Sequence, residues 1–79
     1  MTINVRYFGK IIEITGMDKE SWIIDQDAKL ADFKMELISK YPSLKNETFQ
    51  LAVNQKLIDL DDHIHENAEI AVLPPFAGG

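Results

Sequence analysis

One stretch of helical period, in an otherwise strand-patterned chain of 79 residues, limits the fold more than any other feature. Leu30, Phe33, Leu37, Ile38 and Tyr41 recur at i, i+3, i+7, i+8 and i+11, which lines them along one helix face, while Asp32, Lys34, Glu36 and Lys40 take the other. Asp27 is placed to cap the start, and Tyr41 precedes Pro42, where helical backbone is disfavoured. The helix is therefore expected over about Leu30 to Lys40. A chain this short buries only about 60 to 65% of its unfolded surface, so it forms one domain with one small core. That core has to lie between this apolar stripe and a sheet.

The sheet is read from period-2 stretches. Ile3, Val5 and Tyr7 alternate with Asn4, Arg6 and Phe8, giving a first strand from Thr2 to Phe8 with Phe8 facing away from the core. Gly9 breaks it. Lys10 to Thr15 reads as a turn or one helical turn, and Glu20 to Asp25, with Trp22, Ile23 and Ile24, as a second strand pairing with the first. After the helix, Ser43 to Glu47 reads as a polar loop, and Thr48 to Val53 as a strand with Phe49, Leu51 and Val53 inward. Asn54-Gln55 suits a turn returning through a short strand, Lys56-Leu57-Ile58. Asp59 to Asp62 reads as a solvated loop, and Asn67 as a residue able to take left-handed backbone before the last strand, Glu69 to Leu73. In that strand Ile70 and Val72 face the core and Leu73 faces outward.

The order β, β, α, β, short β, β fits an α+β fold, a mixed sheet of four to five strands wrapped around one main helix. The first and last strands lie parallel at its centre, because parallel neighbours need a crossover between them. This is the β-grasp, or ubiquitin-like, architecture. Residues 1–73 form the domain and 74–79 a flexible tail, Pro74-Pro75-Phe76-Ala77-Gly78-Gly79. Two prolines end strand pairing and send the chain out extended, for a reach of roughly 20 Å at ~3.3 Å per residue. Past Phe76 no side chain exceeds a methyl group, so the arm can present the Gly79 carboxylate in a narrow site.

Composition narrows the chemistry. There are no cysteines, which excludes disulfides, Cys-ligated metal centres and thiol nucleophiles. Thirteen Asp and Glu against eight Lys and Arg leave a formal charge of −5, which opposes nucleic-acid binding and favours basic faces on partner proteins. No apolar run approaches the ~20 residues of a membrane span, and no signal peptide is evident, so no membrane association and a cytoplasmic location are expected.

Tyr7-Phe8, Leu51-Ala52-Val53-Asn54-Gln55 and Val72-Leu73-Pro74-Pro75-Phe76-Ala77-Gly78-Gly79 together carry a resemblance over the whole chain. The chain resembles the small, sulfur-carrying subunits of molybdopterin synthase, within the wider group of ubiquitin-like sulfur carriers. Pro-Pro before the tail favours the molybdopterin branch over the thiazole branch. Asn67-Ala68-Glu69 departs from the family's usual Gly-Asp-Glu, a change that left-handed Asn tolerates.

The resemblance implies a chemistry for the tail. An E1-like enzyme joins Gly79 to AMP from ATP, and sulfur then replaces AMP to leave a thiocarboxylate. The tail enters the large subunit and gives its sulfur to a cyclic pyranopterin precursor, forming the molybdopterin dithiolene. By the same resemblance the complex holds two small and two large subunits, general acids and bases belong to the large subunit, and the small one binds no cofactor. Gly79 is the sulfur donor, and Ala77 and Gly78 thread the tail. Phe8, Leu57 and Leu73, continued by Pro74, Pro75 and Phe76, dock the partner.

Two other clusters are set aside. Asp61-Asp62-His63-Ile64-His65 matches no metal-site spacing, so no metal site is expected, and Glu66 and Glu69 near His65 read as solvated surface. Carriers serving thiazole synthesis or tRNA thiolation, and ubiquitin-like modifiers or docking modules, are the competing readings.

Overall fold

In a computed structural model, which describes residues 1–75, the elements follow the expected order. They are β1 (Thr2–Tyr7), α1 (Lys10–Thr15), β2 (Lys19–Ile23), α2 (Leu30–Lys40), a 3-10 turn (Pro42–Asn46), β3 (Gln50–Val53), β4 (Lys56–Leu57) and β5 (Glu69–Leu73). The strands form one five-stranded sheet in the order β2-β1-β5-β3-β4. β1 and β5 are parallel at its centre, with Val5 opposite Ile70 and Tyr7 opposite Val72, and the other pairings are antiparallel. The mixed sheet and single main helix agree with the β-grasp expectation.

Alternation along the strands decides what is buried. Ile3, Val5 and Tyr7 of β1 and Ile70 and Val72 of β5 are each no more than 1% exposed, and they meet Leu30, Phe33 and Leu37 of α2 in one core. Trp22 of β2 lies edge-on to Phe33 with ring centroids 5.0 Å apart. Phe49, expected inward on a strand, lies just before β3 and is half-buried against the core.

Three local readings change. The polar loop after α2 contains Leu44, fully buried, which a 3-10 turn starting at Pro42 points into the core. Asp27 does not cap α2. Lys29 is the N-cap residue, and the Asp32 carboxylate reaches back to accept its backbone N–H at 2.9 Å. The acidic segment 59–62 is exposed, yet its backbone serves the helix. Carbonyls of Asp62 and Leu60 accept the N–H groups of Leu30 and Ala31 at 3.0 and 2.9 Å, satisfying first-turn donors that a helix cannot pair internally.

The Val53-Asn54-Gln55 motif acquires a physical reason. Asn54 and Gln55 have φ of 50° and 69°, the pair of positive values that a two-residue hairpin turn needs to match strand twist. Asn54 also donates its N–H to the Glu69 carbonyl at 2.8 Å, and its Oδ1 accepts the Glu69 N–H at 3.0 Å. The turn between β3 and β4 is thereby tied to the start of β5. Asn67 takes φ 64°, as expected, and its N–H bonds the Thr2 carbonyl beside the start of β1.

A polar knot holds the helix C-terminus to the β1–β2 pair. Glu20 Oε1 accepts from Tyr7 Oη at 2.6 Å, Tyr41 Oη at 2.9 Å and Trp22 Nε1 at 3.0 Å, and Lys40 Nζ bonds Oε2. Burial works to raise the Glu20 pKa. The hydrogen bonds from Lys40, Tyr7, Tyr41 and Trp22 overcome it and bring the group from 4.5 down to about 2. Burial, then the bond to Glu20, pushes the Tyr7 hydroxyl the other way, upward.

Two predictions follow from these contacts. Asn54→Ala is expected to destabilise the protein by about 1–2 kcal/mol in urea unfolding, and Asn54→Gly by less, because glycine keeps the positive φ and loses only the Oδ1 bond. For Glu20 the depressed folded pKa means that its stabilisation is present above pH 4.5 and disappears as pH falls through about 2. Glu20→Gln is therefore expected to be about 1–3 kcal/mol less stable at neutral pH, with the gap closing across that acidic window. A gap that stays constant with pH would remove the carboxylate from this account.

Candidate functional site

The sheet buries one face against α2 and leaves the other outward, and strand parity decides which side chains that outer face carries. On β1 the residues between Val5 and Gly9 that avoid the core are Arg6 and Phe8; on β5 they are Ala71 and Leu73. Register then sets them in rows. Arg6 lies opposite Ala71, Ala71 opposite Ala52 and Ala52 opposite Leu57, which spans four strands. One step further along, Leu73 lies opposite Gln50, with Phe8 following Tyr7 on the other side. Two alanines give this face a low floor between larger side chains.

Phe8 ends just beyond β1, yet its N–H still bonds the Val72 carbonyl at 3.2 Å. It is half-buried, as is Leu73, while Leu57 is 70% exposed. The Arg6 guanidinium carbon sits 5.2 Å from the Phe8 ring centroid, a cation over an aromatic face. Phe8, Leu57 and Leu73 thus share one side of the sheet, a placement that strand parity had indicated for two of them.

The arm departs from the same place. β5 is bonded on both sides, to β1 and to β3, so its end is a fixed base. Pro74, half-buried, follows directly, and Pro75 is exposed. Gly9, at φ 56°, leaves so little space that an added Cβ would lie 2.8 Å from Pro74 Cγ. The exits of β1 and β5 are therefore in contact through a glycine and a proline. The sequence signalled Gly9 only as a strand breaker, and its fit to Pro74 depends on the register of two strands distant in the chain. Phe76, Ala77, Gly78 and Gly79 lie outside the described residues.

The clusters set aside earlier have structural uses. His63 Nδ1 lies 3.0 Å from the Asp27 carbonyl, Asp62 accepts the Asp59 N–H at 3.1 Å, and Ile64 is buried in the core. Among the described residues no group of three or more His, Cys, Asp or Glu is arranged to hold a metal ion. Nor is any helix among them long and apolar enough to cross a membrane.

Known proteins are similar to this chain in sequence and fold. A family model described as the ThiS family matches residues 5–79. A human protein named molybdopterin synthase sulfur carrier subunit is 34% identical, with 98% of this chain and 93% of that one covered. The solved complex of subunits 1 and 2 of molybdopterin-converting factor from Helicobacter pylori includes a chain that superposes with a TM-score of 0.71 at 28% identity, both covered in full. The small archaeal modifier protein 1 of Haloferax volcanii gives a TM-score of 0.81 at 20% identity, covering 95% of this chain and 98% of that one, a likeness of fold.

The outer-face geometry makes a stability prediction. Leu57→Asp is expected to change unfolding free energy by no more than about 1 kcal/mol, since the side chain is exposed on a short edge strand. Leu51→Asp, which drives a charge into the core, is expected to cost more than about 3 kcal/mol. Comparable losses in thermal or urea unfolding would mean that Leu57 is not a surface residue.

Proposed function

The chain belongs to the ThiS family, and from that premise we propose that it is the sulfur carrier subunit of a molybdopterin synthase, with Gly79 as the group that is charged. The supporting observation is similarity over almost its full length to a protein of that name, combined with a Gly-Gly tail that follows the central strand. An E1-like activating enzyme and a large synthase subunit are the partners this reading requires, the latter in a complex of two small and two large chains.

The chemistry starts from a poor electrophile. A carboxylate resists acyl substitution because its leaving group would be an oxide, so the Gly79 carboxylate first attacks the α-phosphorus of ATP, releasing pyrophosphate. The acyl adenylate has AMP as a good leaving group. A persulfide sulfur then adds at the carbonyl carbon and AMP departs to leave an acyl disulfide, whose S–S bond a second thiol of the sulfur-delivering protein cleaves, forming a disulfide there and releasing the Gly79 thiocarboxylate. Its sulfur is ionised at neutral pH and serves the role a thiolate would. A protein without cysteine can carry sulfur in this way.

The domain's own contribution is presentation. It supplies a fixed base at Leu73, an outward apolar face at Phe8, Leu57 and Leu73 for docking, and Ala77 and Gly78 as the slim segment that enters the active site. Pro74 and Pro75 follow at the edge of that face, and Phe76 is the third residue this reading assigns to docking beyond Leu73. The catalytic acids and bases belong to the large subunit, and ATP is consumed by the activating enzyme, so no resident cofactor is needed. A cytoplasmic location accords with this use of ATP.

Co-expression with the activating enzyme, ATP and a sulfur source is expected to give an intact mass with one oxygen replaced by sulfur, located at Gly79 by fragmentation. The charged protein and its cognate large subunit are then expected to convert the cyclic pyranopterin precursor to molybdopterin. Unmodified carboxylate from an otherwise active system would overturn the carrier reading. Charging without this conversion, but with thiazole or thiolated tRNA formed in the matching system, would move the carrier to another pathway.

A further inference from the structure

Arg6 and Lys19 are exposed cross-strand partners on the outer face, where β1 and β2 pair. Two like charges directly opposite one another destabilise a sheet. Relief was available in a chain with thirteen acidic residues, yet among the described residues the ion pairs are Lys10–Glu47 and Lys40–Glu20, and neither involves this pair. The pair opens on a shallow hollow of about 530 Å³ whose lining also includes Asn4, Ser21 and the acidic Asp18, Glu20 and Glu69, of which the Glu20 carboxylate is already engaged by Tyr7, Trp22, Lys40 and Tyr41. Arg6 also lies over the Phe8 ring and opposite Ala71, so it stands between the hollow and the apolar side chains of the outer face.

We propose that Arg6 and Lys19 form the seat for an acidic side chain of the large subunit, next to the apolar contacts at Phe8, Leu57 and Leu73. This rests on the docking role of that face. A carboxylate fits the two-pronged guanidinium of Arg6, whose other side is already held by Phe8, and Lys19 adds a second positive charge across the strand. Asp18 and Glu69, which share the lining, disfavour a phosphate more than a carboxylate, because a phosphate brings more negative charge, and the carboxylate is directed to Arg6 and Lys19. Burying the patch against apolar surface strengthens the interaction, because water no longer screens it. The unfavourable pair in the free carrier becomes a selective contact in the complex.

The test compares binding of the cognate large subunit, by calorimetry at low and high salt, for the full-length carrier and four variants. Arg6→Gln/Lys19→Gln is expected to bind on the order of tenfold more weakly at low salt and to show less salt dependence than wild type. Its melting temperature alone is expected to be equal or higher, since the repulsion is gone, which separates lost binding from lost folding. Arg6→Lys is expected to recover part of the affinity. Glu69→Gln is expected to bind as well as wild type or better. Leu73→Asp is expected to weaken binding strongly. Wild-type affinity and salt dependence in the double Gln variant, with Leu73→Asp still disruptive, would overturn the acidic-seat inference and leave the docking face standing. Wild-type binding by Leu73→Asp would overturn the docking reading and this inference with it. Weakening by Glu69→Gln without weakening by the double variant would mean that the face receives a basic group, and would also overturn the proposal.

Discussion

The parallel pairing of β1 with β5 is the contact on which the remaining structure depends. Without it the sheet separates into a β1–β2 ribbon and a β5–β3–β4 ribbon, because no other strand pair joins the halves. Parallel pairing requires a long crossover, which here runs through β2, α2, β3 and β4 before β5 returns beside β1. The apolar residues that make this worthwhile are the alternate ones, Ile3, Val5, Tyr7, Ile70 and Val72, each essentially inaccessible to water. A one-residue slip would turn all of them outward. The same register brings Phe8 beside Leu73 and Gly9 against Pro74, so the requirement that builds the core also builds the outer face and the exit of the arm.

Elements governed by local periodicity were readable from the chain alone. The α2 stripe predicted Leu30 to Lys40, the observed range, and the alternation in β5 predicted Glu69 to Leu73 with Ile70 and Val72 inward. Asn67 was recognised because left-handed backbone is a property of the residue and its place before a strand. Leu44 was missed for the opposite reason. One apolar residue among Pro, Ser, Lys and Asn has no period, and only the turn geometry after Pro42 shows where it points. Phe8 and Leu73 were placed outward by parity, whereas the Leu57 position on the same face needs the hairpin register of β3 with β4.

Contacts between distant polar groups were beyond local reading. Asp27 had the right chemistry to cap α2, but the helix start is served instead by Asp32 and by backbone carbonyls of Leu60 and Asp62, some thirty residues away. Those carbonyls tie the acidic loop to the helix and so fix the route from β4 to β5. Glu20 offered a similar difficulty, since a carboxylate on an edge strand ordinarily reads as solvated. Its partners Tyr7, Trp22, Lys40 and Tyr41 come from β1, β2 and the C-terminal end of α2, and only the assembled fold brings them to one oxygen pair. The effect of this knot is to orient α2 on the sheet, because three hydrogen-bond donors converge on Oε1 and each limits the others.

On the proposed reading, a carrier whose reactive group is the terminal Gly79 places unusual demands on the rest of its surface. The domain cannot shape the reaction itself, so any selectivity it adds must come from how it is held by the enzymes that act on the tail. In the proposed docking mode, apolar contact at Phe8, Leu57 and Leu73 would supply adhesion and little discrimination, since hydrophobic burial is non-directional. In the proposed seat, charge would supply discrimination, because a wrong partner would leave Arg6 and Lys19 desolvated and unpaired, at a greater cost than the correct pairing gains. An overall acidic protein with a basic pair beside its apolar face therefore separates two tasks: its net charge governs long-range approach, and the local pair tests fit at close range. Arg6 lies on β1, the strand bonded to β5, and Lys19 faces it from β2, so the proposed seat is linked through one strand pairing to the base from which the tail departs.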